Sequence, residues 1–311
     1  MKNGTHGKNR GTYAVNLKLG MIGLDTSHSV AFAELLQDEA HPNHVPGGRV
    51  TVAYPGGSPD IELSRSRVAG FAEQLRDRFG ADLVDSPAQV AEEADAIMIV
   101  ALDGRSHLEL FREVAPFGKP VFIDKPLAVS HREALAIRDL SERYGTPVMS
   151  SSSLRFSGAI AEALKESGGA LGADCFGPMP LEPSQPGLFW YGIHTVEMLY
   201  AILGPGCAKV TASTNDDHEL VVGEWADGRI GTVRGTRAGH SRFGAIIHGK
   251  DHSILADASG YTKPFYAELV ERLVRFFQTG IPAVPLSETL ELIRFIEAAN
   301  ESRGTGRSVR L

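Results

Sequence analysis

The stretch "LKLGMIGLDTSHSVAF", residues Leu17 to Phe32, contains a short apolar strand, a glycine and the start of a helix. Gly23 follows the strand as the first glycine does in the phosphate-binding pattern G-x-G-x-x-G. Asp25 and His28 occupy the second and third glycine positions of that pattern. The stretch therefore predicts a strand, a tight turn and a helix whose N-terminus can face an anion, with a carboxylate beside it.

The same alternation of apolar strands and helical segments continues to Ser152, and it predicts a parallel sheet covered by helices on both faces. The predicted strands span 15–24, 49–54, 81–84, 96–101, 120–123 and 147–150, and the helices between them include 66–79 and 130–144. We expect a doubly wound domain over residues 14–150, preceded by a flexible polar tail over residues 1–13.

The pattern changes after residue 153 to helices, a Gly/Pro-rich passage and several strands. The predicted helices span about 158–166, 191–203, 263–278 and 286–302. Asp227-Gly228 predicts a two-residue hairpin turn, because both residues can adopt the positive φ values that such a turn requires. We expect residues 151–311 to form a second, α+β domain on an open, mostly antiparallel sheet.

The composition excludes several classes of protein. A net charge of -7 over 311 residues argues against a general binder of nucleic acid or anionic membranes. No segment reaches the roughly 18 apolar residues of a membrane span, and the N-terminus has no secretory signal core. Cys175 and Cys207 make no C-x-x-C motif, which fits a reducing cytoplasm. His41 and His44 lack an evident third ligand, so we predict no metal site.

Ligands of doubly wound folds bind beyond the carboxyl ends of the strands, where the strand order reverses. The helix that begins near Ser27 points its free N–H groups at this crevice, and Thr26 stands beside them. Asp25 either repels a phosphate there or caps the helix, and the sequence leaves both possibilities open.

The end of the second predicted strand does not decide between NAD and NADP. No carboxylate follows the strand directly, although Asp60 or Glu62 could reach back to a ribose diol. Ser58, Arg65 and Arg67 could instead meet a 2′-phosphate. Both forms of the cofactor remain possible.

Two further motifs carry candidate chemistry. "GKPVFIDKPLAVS" is a buried strand that ends in Asp124-Lys125-Pro126, and the lysine ammonium there can donate a hydrogen bond to a reacting hydroxyl while Asp124 keeps it charged. In "FWYGIHTVEMLYAILG", His194 and Glu197 share a helix face, and a neutral imidazole can take or give a proton near pH 7. A purely structural histidine is the alternative.

Together these residues resemble the Gfo/Idh/MocA family, named after glucose–fructose oxidoreductase and inositol dehydrogenase. The resemblance extends from about Val15 to the C-terminus and depends on three motifs. These are the strand and Gly23 turn, Asp124-Lys125-Pro126 in place of the family's Glu-Lys-Pro, and Gly192-Ile193-His194 followed by Glu197, similar to its G-x-H-x-x-D. The resemblance implies an NAD(P)-dependent oxidoreductase of sugars, inositols or related polyols, with an N-terminal Rossmann domain and a C-terminal sheet that mediates homo-oligomers.

By this resemblance Lys125 binds the reacting hydroxyl and His194 is the general acid/base. The residues that the resemblance and the turn place at the cofactor are Gly23, Asp25, Thr26, Ser27, His28, Ser58, Asp103, His107 and Asp124. Arg155 is expected to meet substrate, and Trp190 and Tyr191 to stack on a sugar ring or to pack at the domain junction.

The departures from the family pattern cluster at the expected site. Many dehydrogenases of the family have an Asp four residues before the catalytic histidine, where this chain has Trp190. Asp103, Gly104 and Arg105 replace the family's Thr-Pro-Asn-like turn. The pattern indicates a divergent subgroup. The alternatives to a dehydrogenase are a redox-neutral lyase, hydrolase or epimerase that uses NAD on a carbohydrate, and a catalytically inactive sensor or scaffold.

Overall fold

The computed structural model of the protein describes residues 16–311. The predicted tail over residues 1–13 lies outside this range. Two sheets organise the described chain, one of six strands and one of seven. The fold class predicted from the sequence is therefore confirmed.

The first sheet is wholly parallel, and its strands lie in the order β3-β2-β1-β4-β5-β6. The strands are β1 Leu17–Ile22, β2 Gly48–Tyr54, β3 Asp82–Leu83, β4 Ala96–Ile99, β5 Val121–Asp124 and β6 Val148–Ser151. The order reverses between β1 and β4, so the chain leaves these neighbouring strands in opposite directions. A crevice results at the carboxyl ends of the strands.

Six helices connect the strands of this sheet. They are α1 Ser27–Gln37, α2 Glu62–Arg65, α3 Val68–Phe79, α4 Pro87–Glu93, α5 His107–Val114 and α6 His131–Tyr144. Ser130 caps α6, as its sequence predicts, because its Oγ accepts the N–H of Glu133 at 3.3 Å. Gly145 ends the same helix with φ 63°, in the left-handed region that favours glycine.

Four helices and seven strands make up the second half. The helices are α7 Gly158–Glu166, α8 Gly192–Leu203, α9 Phe265–Thr279 and α10 Leu286–Thr305. The strands are β7 Gly172–Pro178, β8 Cys207–Thr214, β9 His218–Trp225, β10 Ile230–Thr236, β11 Gly244–His248, β12 Ser253–Asp257 and β13 Val309–Arg310. Their order is β12-β11-β7-β10-β9-β8-β13, and only the β7–β10 pair is parallel. Helices α8 and α10 pack on this sheet.

The hairpin between β9 and β10 has a three-residue loop rather than the predicted two-residue turn. Trp225 N donates to Arg229 O at 2.8 Å and closes the loop. Of the loop residues, Gly228 alone has positive φ, at 91°, because no residue other than glycine has positive φ in the described chain. Asp227 thus does not take the conformation that a two-residue turn needs at both positions.

Helix α9 packs against the first sheet, although it follows the strands of the second. Leu269 and Leu273 are buried with Met21 and Phe32 in one hydrophobic core. This packing brings the first turn of α9, with Tyr266, to α1 and the crevice.

Candidate active site

The turn after β1 is the one that the sequence predicts. Gly23 has φ 86°, and a Cβ atom at this position would lie 2.5 Å from the Cα atom of Ala101. Only glycine fits there without moving the backbone after β4. Its N–H donates to Tyr54 O at 3.0 Å, which ties the turn to the end of β2.

Asp25 does not cap α1, and it lines the small cavity between Gly23 and Ser58. Its side chain is fully buried, and its carboxylate accepts hydrogen bonds from Ser64 Oγ at 2.6 Å and from Leu102 N at 2.8 Å. Thr26 caps the helix instead, with its Oγ1 accepting the N–H of His28 at 3.4 Å. Internal donors thus hold the carboxylate of Asp25, and the place of Asp25 at the cofactor stays a prediction. Ser27, the first residue of α1, is exposed.

His28 bridges three parts of the chain. Its Nδ1 lies 2.5 Å from Asp124 Oδ2 at the end of β5, and its Nε2 lies 3.0 Å from Tyr266 Oη in α9. The imidazole stacks on Phe32 with the ring centroids 5.2 Å apart. Burial alone would raise the pKa of Asp124, but His28 and Lys125 beside it outweigh burial and lower this pKa. Asp124 is thus an ionised partner of His28.

Lys125 follows Asp124 directly, and its charge reaches His194. Burial lowers the pKa of Lys125, and the attraction of Asp124 opposes the shift only in part. Burial also lowers the pKa of His194 well below 6.5, and the nearby Lys125 and His28 lower it further. His194 is therefore neutral near pH 7. Across residues 16–311, Lys125 Nζ has no hydrogen-bond or ion-pair partner.

Ser152 positions His194. The serine Oγ lies 2.7 Å from His194 Nδ1 and accepts the N–H of Leu154 at 3.2 Å. The edge of the His194 ring packs on Tyr191, 5.1 Å away, and Tyr191 stacks on Phe243 at 6.3 Å. These contacts leave Nε2 as the ring nitrogen that can exchange a proton.

Ser58 and Asp103 lie together on the other side of the crevice. Ser58 Oγ donates to Asp103 Oδ2 at 2.8 Å, and Gln185 Nε2 donates to Asp103 Oδ1 at 2.8 Å. Arg105 binds Asp103 and also Asp60. Burial would raise the pKa of Asp103, but the hydrogen bonds from Arg105, Gln185 and Ser58 lower it to about 2. The Asp103 carboxylate is buried, and both of its oxygens accept hydrogen bonds from protein donors.

His107 has a structural place, which corrects its expected role at the cofactor. The side chain is completely buried, and its two ring nitrogens lie 2.8 Å from Pro126 O and 2.9 Å from Ala101 O. Both nitrogens are thus occupied by backbone carbonyls. His107 fastens the turn after β4 to the Lys125-Pro126 turn and leaves no polar atom for a ligand.

Arg155 is likewise committed to the protein, contrary to its expected contact with substrate. Its guanidinium donates to Glu197 at 3.0 Å and pairs with Glu288, and 10% of its side chain is exposed. Burial would lower the pKa of Arg155, but the two carboxylates outweigh burial and raise it. Glu197 also accepts the N–H of Ser152 at 3.0 Å. The Arg155–Glu197 pair thus supports the serine that holds His194.

Trp190 and Tyr191 border the cluster as half-buried aromatic residues. Ser152, Gln185, Phe243 and Tyr266 belong to the site but were not predicted from the sequence. Ser152 stands in the run of four serines that precedes the second half, which was the one available signal. Tyr266 gave no signal, because its contact with His28 spans 238 residues.

The two ends of the crevice differ in how they fit a nicotinamide dinucleotide. The unpartnered Lys125 amine and the neutral His194 fit a site of hydride transfer. At the other end, a cavity of about 100 Å³ lies between Gly23 and Ser58. Ligand pockets are usually about 300–1,000 Å³, so this cavity is smaller than a usual ligand site.

The described residues contain neither a candidate metal-binding group nor a candidate membrane-spanning helix. No group of three His, Cys, Asp or Glu side chains in residues 16–311 is placed to hold a metal ion. Within the same range, none of the helices has the length and the apolar character needed to cross a bilayer.

Comparison with known proteins identifies relatives of the fold. Residues 62–152 match the Gfo/Idh/MocA model, described as an oxidoreductase family with an NAD-binding Rossmann fold. This match confirms the predicted resemblance over those residues. A search of curated proteins gave no match.

Three solved structures illustrate the similarity. GenD2 from gentamicin A biosynthesis, crystallised with NAD, is 18% identical, with 97% of this chain and 98% of that chain covered and a TM-score of 0.77. A probable dehydrogenase from Thermotoga maritima is 18% identical, with 94% and 98% covered and a TM-score of 0.76. A myo-inositol dehydrogenase from Corynebacterium glutamicum is 17% identical, with 96% and 99% covered and a TM-score of 0.76. At these identities the likeness establishes the fold.

Proposed function

We propose that this chain, whose residues 62–152 are those of the Gfo/Idh/MocA oxidoreductase family, is an NAD(P)-dependent oxidoreductase of a sugar, inositol or related polyol. The observation that carries the proposal is the pairing of an unpartnered Lys125 amine with a neutral His194 at the carboxyl end of β5. The myo-inositol dehydrogenase with the same fold supports the substrate class. NAD and NADP both remain candidates for the cofactor.

Lys125 holds the oxygen of the reacting hydroxyl in this proposal. Its ammonium donates a hydrogen bond to that oxygen, and the bond strengthens as the hydroxyl loses its proton. A preorganised cation stabilises a developing alkoxide most strongly where water is excluded. Burial of Lys125 provides this environment.

His194 takes the hydroxyl proton. The tautomer that can do so carries a proton on Nδ1, which donates to Ser152 Oγ 2.7 Å away, and leaves Nε2 as the acceptor. The two lone pairs of the serine oxygen then receive His194 and Leu154 N–H together. A bound nicotinamide dinucleotide would supply the hydride acceptor for the carbon that is oxidised.

Aromatic side chains give the site a surface for a ring. Tyr191 and Phe243 stack with an interplanar angle of 17°, next to the His194 ring. The C–H face of a sugar or inositol ring packs well on such a surface. Trp190, half-buried beside Tyr191, is the second candidate for this contact.

The test is reduction of NAD⁺ or NADP⁺ by the purified protein with a panel of inositols, aldoses and other polyols. We expect the absorbance of reduced nicotinamide to rise with at least one polyol. Conversion of a carbohydrate with only catalytic cofactor and no net reduction would favour the redox-neutral alternative. If the protein binds the cofactor but converts none of the substrates, the result would favour an inactive sensor.

The pH dependence of polyol oxidation follows from the two shifted groups. His194 must be unprotonated, and its lowered pKa places the acid limb of kcat/KM well below pH 6.5. Lys125 must be protonated, and its lowered pKa moves the alkaline limb below 10.5. Activity should therefore rise with pH through the His194 pKa and fall through that of Lys125. A pH–rate profile of the wild type checks both limbs, and Lys125→Met should abolish the alkaline one.

The outer face of the second sheet is the proposed contact between copies of this chain. Leu220, Ile246 and Leu255 expose 39%, 36% and 66% of their surface there. We expect Ile246→Arg to convert an oligomer into smaller species, because a charge would be buried at its centre. Sedimentation velocity measures the change, and Leu181→Arg, at a residue 40% exposed outside the sheet, is the control. A monomeric wild type would contradict this part of the proposal.

A further inference from the structure

We propose that two internal hydrogen bonds, His28–Asp124 and Ser58–Asp103, lie across the path of the dinucleotide and that it binds only after both have opened. We call them the two crevice bridges. The inference depends on the proposed function, because it assumes that the cofactor enters the crevice of the first sheet.

The His28–Asp124 bridge crosses one side of the crevice. His28 follows β1 and Asp124 ends β5, and β4 lies between these strands in the sheet. The bond therefore passes over the carboxyl end of β4, on the side of the crevice where Lys125 lies. The imidazole of His28 occupies this space, in contact with Asp124 and Phe32. The bond from His28 to Tyr266 extends the barrier to α9.

The Ser58–Asp103 bridge crosses the other side. Ser58 follows β2 and Asp103 follows β4, so their bond passes over the end of β1 and the Gly23 turn. Leu24 N–H also donates to Pro55 O at 2.7 Å, which draws the loop after β2 onto the turn. The cavity left beneath is the one of about 100 Å³.

Charge adds to the steric barrier. Asp103 and Asp124 are buried, and donors of the protein already satisfy both carboxylates. Two like charges 4 Å apart repel by about 4 kcal/mol at an effective dielectric of 20. A pyrophosphate that entered beside these closed bridges would meet this repulsion and would gain no donor from Ser58 or His28. Opening the bridges moves the carboxylates and frees the hydroxyl of Ser58 and the imidazole of His28 to face the phosphates.

Because the dinucleotide binds only the open protein, its apparent affinity is its affinity for the open protein multiplied by the fraction of molecules that are open. If about 1–10% of the molecules have a given bridge open, removal of that bridge should tighten binding by about 10- to 100-fold. His28→Gly restores the glycine of the usual turn. Ser58→Ala removes the hydroxyl of the second bridge and leaves the Arg105–Asp60 ion pair between the same two loops, so it tests that hydrogen bond alone.

The experiment is a calorimetric titration of the wild-type protein and the two single variants with NADH and with NADPH. We expect each variant to lower the dissociation constant of the preferred dinucleotide by about 10-fold or more. His41→Gly, in the loop at the far end of α1, and Ser66→Ala, on an exposed position, are matched controls and should bind as the wild type does. Thermal unfolding verifies folding, and His28→Ala replaces His28→Gly if the glycine variant is unfolded.

The outcomes separate the two proposals. A wild type that binds as tightly as both bridge variants overturns the crevice bridges and leaves the proposed function standing. Weaker binding by the variants also overturns the bridges, since it makes His28 and Ser58 ligands in the described conformation. If neither the wild type nor any variant binds a dinucleotide at millimolar concentration, both proposals fail.

Discussion

Replacement of Lys125 by methionine is expected to lower kcat for polyol oxidation by about 10²–10³-fold, the usual effect of removing one preorganised donor from a developing oxyanion. The reason is that Lys125 Nζ has no hydrogen-bond or ion-pair partner among residues 16–311 and lies near enough to His194 to lower its pKa, so it is available to a substrate oxygen. Methionine keeps an unbranched side chain of similar length and removes the buried charge. The protein should therefore stay folded.

The measurement is kcat and KM on the polyol that the wild type oxidises, together with thermal unfolding. Lys165→Met is the control, because Lys165 is exposed on α7 and should keep wild-type kinetics. A Lys125→Met enzyme with kcat within a factor of two of the wild type would remove Lys125 from the mechanism. Loss of activity accompanied by unfolding would instead make Lys125 a structural residue.

The first sheet could be predicted from the sequence because its signals are local. Strands β1 and β4 contain buried apolar runs, and Ser130 and Gly145 mark the ends of α6 through contacts within one helical turn. The hairpin was predicted less well. Asp227-Gly228 permits several turns, and the Trp225–Arg229 pairing that selects the three-residue loop depends on the register of two whole strands.

The site could be predicted only where position in the fold determines the role. Lys125 and His194 lie at a strand end and a helix start, and both come to the crevice through the topology alone. The contacts of Asp25 and Arg155 were not predicted because distant partners decide where the two side chains point. Asp25 bonds to Ser64, 39 residues away, and Arg155 pairs with Glu288, 133 residues away. Sequence spacing gives no measure of such contacts.

The substitution of His28 for a glycine in the turn is physically linked to other residues of the candidate site. His28 in place of a glycine brings a partner to Asp124, and Lys125 and His28 both depress the pKa of His194. The residue that blocks the crevice is thus electrostatically coupled to the proposed base. Opening of the His28–Asp124 bridge should consequently change the proton affinity of His194 as well as the space for the cofactor.

Glu197→Ala is expected to lower the free energy of unfolding by about 3–5 kcal/mol, because it breaks a buried ion pair from one side. Glu197 is 3% exposed and accepts hydrogen bonds from Arg155 and from Ser152 N. Its removal leaves the Ser152 N–H without an acceptor, and Arg155 keeps Glu288 alone. At about 2–4 °C per kcal/mol, the melting temperature should fall by at least about 6 °C.

The measurement is thermal and denaturant unfolding, with Glu301→Ala as the control on an exposed carboxylate of α10. Glu197→Gln should fall between the control and Glu197→Ala, because the amide oxygen still accepts the Ser152 N–H but carries no charge for Arg155. Since Ser152 holds the His194 ring, both Glu197 variants should also lower kcat more than they raise KM. A Glu197→Ala protein that melts within about 1 °C of the wild type would show that Arg155 and Ser152 do not depend on this carboxylate.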